Sequence, residues 1–531
     1  MNFSTSLTFT SVMLLLLTST FAQPSQITTS PYPSESIQIG DRSTYRPVTR
    51  TSIFGVRLEI PVQLRNSTYS YGSVPLGPSL GQGTDEVTFV PSRVDDMQAR
   101  IGVTLDTLNL YYPVFFKLFY EQDLYTGRAD VASDGSQGVG LPLQNNSQTL
   151  QLRKAYAQLI LGPFLTVAGG YMTSHWGLGL LANDGAHEWS PGNAYFGDPR
   201  GGDRVQRFLL ATGPWTGDLL LSVAYDREVN DDIILGDDTA EQIIFAGVYG
   251  YKKPKSIGFY MVRREQATPV NDDVNDAKET NVTVADLYTK WRWSFGESWT
   301  VNWENEAVYI TGDTTLAPSV DFPKHTVEQA AFASRIKLNG PRGGSVIDFM
   351  YASGDQNFDD EGQNAFKADP NYEMGLLLFR HVLAAQSARG PVTAADPTLV
   401  GKPNEDLDRF PTRGSVSNTV AVFPKAWYRL SNGFELYGGP LIAWANVPLA
   451  DPRNSRFNGG HPQNVLQGDS KERFLGVELD LGARVHLNLY GSEWTLGTEW
   501  GILLPGPAFN NRKDEPMDSI SGGRLILRVN L

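Results

Sequence analysis

Arg524-Leu525-Ile526-Leu527-Arg528-Val529-Asn530-Leu531 is the stretch on which the reading of the whole sequence turns. Successive side chains of a strand point to opposite faces, so Leu525, Leu527, Val529 and Leu531 share one face and Arg524, Arg528 and Asn530 the other. Ile526 is the one apolar residue on the polar side. Such an octet fits a half-buried strand of a soluble sheet. It also fits a strand crossing a bilayer, where closure into a barrel pairs every backbone group. The rest of the sequence decides between the two.

Segments of alternating polarity, each roughly ten residues long, recur along the chain. Phe54, Val56, Leu58, Ile60, Val62 and Leu64 share one face against Arg57, Glu59, Gln63 and Arg65. Val477, Leu479, Leu481, Val485, Leu487 and Leu489 oppose Glu478, Asp480, Arg484, His486 and Asn488. Short connections rich in turn formers occur at 108–109, 162–163, 213–217, 252–255, 296–297, 339–343, 431–433 and 491–492. Eight hairpins follow, and one strand at either end brings the expectation to about 18. Long loops begin near 66, 126, 174, 228, 265, 311, 354, 448 and 504, and they hold acidic runs such as Asp231-Asp232 and Asp359-Asp360-Glu361. The fold class expected is all-β: a single transmembrane antiparallel up-and-down barrel, with long loops outside and short turns in the periplasm. The apolar piece Met374 to Ala385, inside the longest loop, fits an inserted helix, a hairpin or a loop folded into the lumen.

The composition agrees. With 11 Trp, 22 Tyr, 26 Phe and 52 Gly, the chain suits strands, tight turns and aromatic girdles. After the first residues no apolar run is long enough for a membrane helix. The formal charge of −14 argues against nucleic acid as a partner. The absence of Cys excludes a disulfide scaffold, a zinc-thiolate site, a lipid-anchored lipoprotein and a Cys nucleophile. Val12 to Leu17 followed by Thr20-Phe21-Ala22 reads as a secretory signal over 1–22, although no Lys or Arg precedes the apolar run. A short Ser/Thr/Pro-rich lead over 23–50 is too small for a folded plug, and the barrel is expected over 51–531.

Leu475-Gly476-Val477-Glu478-Leu479-Asp480-Leu481, Trp494 to Gly501 with Glu499, and Leu504-Pro505-Gly506-Pro507-Ala508-Phe509 form a recognisable group, joined by Tyr351-Ala352-Ser353-Gly354-Asp355. This group resembles the closing hairpin and a strand-mouth element of alginate-export-type outer-membrane barrels. With His175-Trp176-Gly177-Leu178-Gly179 the chain is also similar to uncharacterised myxobacterial and deltaproteobacterial outer-membrane barrels. The resemblance implies a Gram-negative outer membrane and transport of a polar solute or polysaccharide. Leu503-Leu504 stands where an aromatic pair is usual in that group, and Leu531 where a terminal Phe is commoner.

Strand parity assigns a basic set to the lumen: Arg57, Arg65, Arg100, Lys154, Arg264, Lys290, Arg292, Arg335, Lys337, Arg484, Arg524 and Arg528. The inward acids are Glu59, Asp106, Asp286, Glu304, Glu306, Glu478, Asp480 and Glu499. A basic excess in a narrow lumen favours anions; the plain alternative is mixed charges pairing across strands. His175-Trp176-Gly177-Leu178-Gly179 fits a constriction loop or a packed rim segment. Asp355, Asn357 and Asp359 offer alternate oxygens for calcium, without the Gly and Glu that a built calcium loop needs. Six scattered His residues argue against a catalytic centre, the nearest approach being His486 beside Glu478 and Asp480. No cofactor is expected. The functional expectation is a monomeric, porin-like passive channel in contact with outer-membrane lipid. The rival is a closed-lumen barrel that attaches to surfaces through its acidic loops.

Overall fold

The computed structural model describes residues 49–53, 56–78, 86–89, 93–107, 114–128, 148–162, 164–185, 189, 191–197, 202, 204–215, 218–228, 239–251, 253–267, 279–315, 322–357, 360–387, 412, 414–431, 433–449 and 464–531. In chain order the strands are β1 (Thr49–Ile53), β2 (Val56–Ile60), β3 (Val62–Tyr71), β4 (Val74–Pro78), β5 (Glu86–Phe89), β6 (Val94–Asp106), β7 (Val114–Arg128) and β8 (Gln148–Leu161). Then come β9 (Leu165–Thr173), β10 (Arg204–Trp215), β11 (Leu219–Glu228), β12 (Thr239–Tyr249), β13 (Lys255–Ala267), β14 (Glu279–Phe295), β15 (Trp299–Thr314) and β16 (His325–Asn339). The last are β17 (Gly343–Ala352), β18 (Gly362–Gln363), β19 (Thr419–Arg429), β20 (Phe434–Ala445), β21 (Phe474–Leu489), β22 (Ser492–Pro505) and β23 (Ile520–Asn530).

Every wall strand pairs antiparallel with its neighbours, and β23 pairs with β3, Gly522 opposite Tyr71 through Asn530 opposite Gln63. Leu531 N–H donates to Val62 O at 2.8 Å, which ties the end of the last strand to the start of the first. The sheet therefore has no edge, as hydrocarbon requires. β2 and β3 are one wall strand interrupted at Pro61, because both keep a single register against β6. Counted so, 18 strands close the barrel among the described residues. Seven of the expected short turns fall between consecutive wall strands, and the eighth, at 108–109, lies outside the described residues.

Two differences from the sequence reading have plain causes. The loop expected from 66 starts only after Tyr71, since polar Asn66 to Ser70 are held in the ladder by β6 and β23 on either side. Below the wall, β1 lies beside β2 as an extra strand, Thr49 opposite Ile60, on the flank that β23 does not reach. The wall therefore begins at Val56.

Side chains sort by parity as expected. Outward-pointing Phe116, Leu118, Ile243, Phe245, Phe259, Met261, Leu287, Ile336, Leu479, Leu481 and Leu525 are exposed, a belt that only lipid would cover. At the short-turn rim stand Tyr249, Phe295, Trp299 and Tyr428, and toward the long-loop rim Tyr225, Tyr309, Trp444 and Trp500. These are the interfacial aromatic girdles of a membrane barrel. No helix of the described residues is long and apolar enough to cross a membrane. A reporter tag inserted beside Asp360 is expected to be labelled on intact cells, and one beside Gly491 is not; labelling at Gly491 on unbroken cells would reverse the orientation.

Candidate functional site in the barrel lumen

Two long connections fold inward and meet. Loop A joins β9 to β10; loop B joins β17 to β19 and ends its inward run in a π-helical turn at Leu378–Leu383 followed by the short helix α1 (Ala384–Ser387). Asp369 N–H of loop B donates to Leu180 O of loop A at 2.7 Å. Trp176, Leu180, Phe366, Leu376, Leu377, Leu378, Phe379 and Val382 are buried with wall residues Met350, Phe423 and Leu441, an apolar core inside the barrel. Met374 to Ala385 is thus a loop folded into the lumen with a helical tip, one of the arrangements its sequence allowed.

Inward loops carry backbone donors and acceptors that the apolar core cannot satisfy, and a buried unpaired group costs about 1–3 kcal/mol. The wall charges do that work. Glu478 accepts from the N–H groups of Leu376, Leu377 and Leu378 at 2.5, 2.8 and 2.7 Å. Glu306 accepts from Leu178 N–H and, at 3.2 Å, from Leu180 N–H. Asp286 takes the Trp176 indole N–H at 3.0 Å, and Glu435 takes Gly192 N–H at 2.7 Å. On the donor side Arg484 reaches Tyr195 O, and Arg524 reaches Phe196 O and Gly197 O. Between the two arginines sits Glu499, 2.6 Å from Arg484 and 2.5 Å from Arg524.

The His175 to Gly179 segment is the first inward turn of loop A. Gly177 (φ +55) lies in the left-handed region, and a Cβ there would meet the Glu306 carboxylate at 2.5 Å, so only glycine fits. Trp176 stacks on Tyr260, ring centroids 5.1 Å apart, and His175 Nδ1 lies 3.6 Å from Asp184. Loop B is pinned at its tip: His381 Nε2 bonds Gly72 O at 2.8 Å and its ring lies 4.7 Å from that of Tyr71. Arg380 pairs with Glu373 and stands over the Tyr69 ring.

Burial holds the His381 imidazole down at about 4, below its ordinary 6.5. Because the folded value is depressed, the contact is fully supported above about pH 6.5 and weakens as pH falls from there toward 4. Acidification over that window is expected to speed amide exchange in 378–387, and His381→Phe to remove the pH dependence; equal profiles for the two proteins would rule this out.

Of the other expected lumen residues, Arg100 pairs with Asp123 at 2.6 Å, Lys154 with Glu121 at 3.8 Å, and Arg65 with Asp96 at 3.8 Å. Arg264 lies 3.4 Å from Glu228 and Arg335 2.6 Å from Asp348. Lys337 bonds Asn193 of loop A, Arg528 stands over the Trp189 ring at 5.4 Å, and Glu304 accepts from the Tyr288 hydroxyl. Lys290 is buried and Arg292 half-buried. Asp480 is buried next to Glu478 on the same face. Arg57, paired with Glu59 at 3.9 Å, stands at the foot of the wall, and Asp106 is 3.7 Å from Lys117. His486 bonds Thr495 at 3.2 Å, while Glu478 is engaged by loop B. Asp355 accepts from Asn357 N–H and Asn364 N–H at 3.0 and 3.1 Å, a carboxylate occupied in turn-making; Asp359 lies outside the described residues. No group of metal-ligating side chains occurs among the described residues.

Sequence reading missed several inward charges. Arg207 is bound to Asp226 at 2.5 Å, Lys425 to Asp348 at 2.7 Å, and Arg153 to Glu121 at 3.2 Å. Arg207, Asp226, Asp348 and Lys425 alternate regularly and parity alone finds them. Arg153 is different: the β7–β8 register shifts at Glu121/Gln122, and the bulge turns both Arg153 and Lys154 inward.

No family model matches the chain, and no curated protein does. The alginate-export resemblance therefore rests on its short motifs alone. Among solved structures, a BenF-like porin from Pseudomonas fluorescens Pf-5 is 12% identical with a TM-score of 0.49, over 89% of this chain and 98% of that one. Pseudomonas aeruginosa OccK5 is 9% identical with a TM-score of 0.48, over 89% and 98%. OccK2 of the same organism, solved with glucuronate, is 11% identical with a TM-score of 0.46, over 89% and 96%.

Proposed function

We propose that this chain is a monomeric, porin-like passive channel of a Gram-negative outer membrane, exported by a signal over 1–22 and carrying small polar solutes. One observation carries the reading. Lumen-facing charges keep part of their accessibility: the Arg335 and Arg264 side chains retain 28% and 21% of it, although each is ion-paired. An anion preference follows from how the charges are used. Glu306, Glu435 and Glu478 are occupied by backbone N–H groups of the two loops, which withdraws three carboxylates from balancing the inward basic groups, while Arg264 and Arg335 each keep one acid partner, Glu228 and Asp348. A polysaccharide remains the larger-solute version of the same reading.

Planar-bilayer recording tests both statements. Discrete, stable openings are expected, with reversal potentials under a salt gradient displaced toward the anion. Arg335→Gln combined with Lys337→Gln is expected to lower the anion-to-cation permeability ratio roughly twofold, most clearly at low salt. The apolar core formed by loops A and B favours the second reading, a closed barrel acting through its outer loops. Electrical silence of correctly folded protein would decide for it.

A further inference from the structure

Two prolines face one another in the barrel wall. The register of β19 against β20 pairs Val422 with Ile442 and Ala426 with Gly438, which places Pro424 directly opposite Pro440. Antiparallel partners alternate between pairs that exchange two N–H···O bonds and pairs that exchange none. Were Pro424 and Pro440 a pair of the second kind, their neighbours Phe423/Leu441 and Lys425/Gly439 would bond and stay in the ladder. They drop out of it. The prolines thus occupy a bonding pair, and as proline has no N–H both bonds are absent. The wall runs roughly 13 Å between one bonded pair and the next at this seam. On their other sides both strands stay in register, Pro424 with Ile347 and Pro440 with Leu479.

The defect is confined to one seam, where two glycines let the strands approach closely. Gly438 and Gly439 precede Pro440, and a Cβ on Gly439 would lie 2.0 Å from Pro424 O, so the two backbones touch directly. Proline is ordinarily confined to sheet edges, and hydrocarbon penalises unpaired backbone carbonyls. The lipid face of the seam is apolar, and its lumen face is apolar on one side of the prolines, with Lys425, held to Asp348 at 2.7 Å, on the other. Val422, Ile442 and Leu479 point to lipid, while Phe423 and Leu441 point into the lumen beside Met350. Loop B covers it from within, with Gly375 packed so that a Cβ would meet Leu441 at 2.7 Å.

We propose that the β19–β20 seam is a lateral portal between lumen and bilayer, serving apolar or amphiphilic molecules whose hydrocarbon part exchanges the lumen core for lipid. The portal is separate from the axial channel, and the two readings fail separately. The test uses full-length protein in vesicles of a phosphatidylcholine bearing a diazirine near the end of one acyl chain, followed by illumination and mass spectrometry. Adducts are expected on lumen-facing Phe423 or Leu441 as well as on lipid-facing Val422, Ile442 and Leu479.

Ala421→Cys with Ala443→Cys places a disulfide at the adjoining non-bonding pair, where partner residues come closest, in a chain with no other cysteine. Oxidation is expected to lower the lumen-side adducts about tenfold and reduction to restore them, since holding the strands together removes the open population. Pro424→Val with Pro440→Val, which restores both ladder bonds, is expected to act like the oxidised lock. Each protein's ion conductance reports folding and the axial channel independently. Lumen-side adducts that are absent from the native chain, or equal in oxidised and reduced lock, overturn the proposal.

Discussion

Glu478→Ala is expected to release loop B from the lumen. The Glu478 carboxylate is the acceptor for three consecutive N–H groups, Leu376, Leu377 and Leu378, in a site shut off from water. Leaving one buried donor without an acceptor costs about 1–3 kcal/mol, and here three are orphaned together. The other loop B anchors lie on either side and offer these donors no acceptor: Asp369 N–H on Leu180 O before them, and Arg380 over the Tyr69 ring, His381 on Gly72 O and Gln386 on Pro75 O after them. The expected results are new tryptic cleavage after Arg380, which is buried in the native protein, and larger, noisier unitary currents. Glu478→Gln keeps one acceptor oxygen but turns an amide N–H₂ toward the donors, so an intermediate effect is expected. Native trypsin resistance in Glu478→Ala would show that the apolar packing of Leu376 to Phe379 holds the loop by itself.

That role for Glu478 shows where the reading of residues succeeds and where it stops. The strand 474–489 is legible because its neighbours repeat the same two-residue period, and a slip of one residue would turn Glu478, Asp480 and Arg484 into lipid. Burial of those three side chains and exposure of Leu479 and Leu481 follow directly. The short turns are legible for a similar reason, since Gly296 (φ +59) and Gly491 (φ +83) adopt backbone angles that few other residues tolerate. What parity cannot supply is the partner of an inward charge. Glu478 meets residues a hundred positions away in sequence, and Arg524 meets carbonyls more than three hundred positions away. Those contacts depend on where a long irregular loop comes to rest, and neither period nor turn chemistry encodes that. A β-bulge defeats parity locally, which is why Lys154 was read inward and Arg153 was not. The proline seam was in plain view as two residues that a wall strand should exclude, but only the register shows that they are opposite each other.

Glu499→Ala is expected to be the most damaging single substitution to folding. Glu499 is 2% exposed and lies 2.6 Å from Arg484 and 2.5 Å from Arg524, with the Tyr437 hydroxyl as a third donor. Removing one partner of a buried ion pair costs about 3–5 kcal/mol, because the remaining charge is left buried without compensation. Here two guanidinium groups lose it at once. The damage spreads in two directions. Arg484 and Arg524 also hold the Tyr195, Phe196 and Gly197 carbonyls, so loop A loses its far anchor. The site also lies on β22 and β23, next to the β23–β3 pairing that closes the barrel. Most Glu499→Ala protein is expected to fail to reach the folded band in unheated detergent gels, and the remainder to unfold at a markedly lower temperature. The charge argument has its own control. In Glu499→Gln the amide oxygen still accepts one bond, and adding Arg524→Met removes the charge left over, so the double variant is expected to fold better than Glu499→Gln alone. If Arg524→Met instead worsens Glu499→Gln, the guanidinium contributes chiefly through the Phe196 and Gly197 carbonyls and the uncompensated charge is the smaller effect.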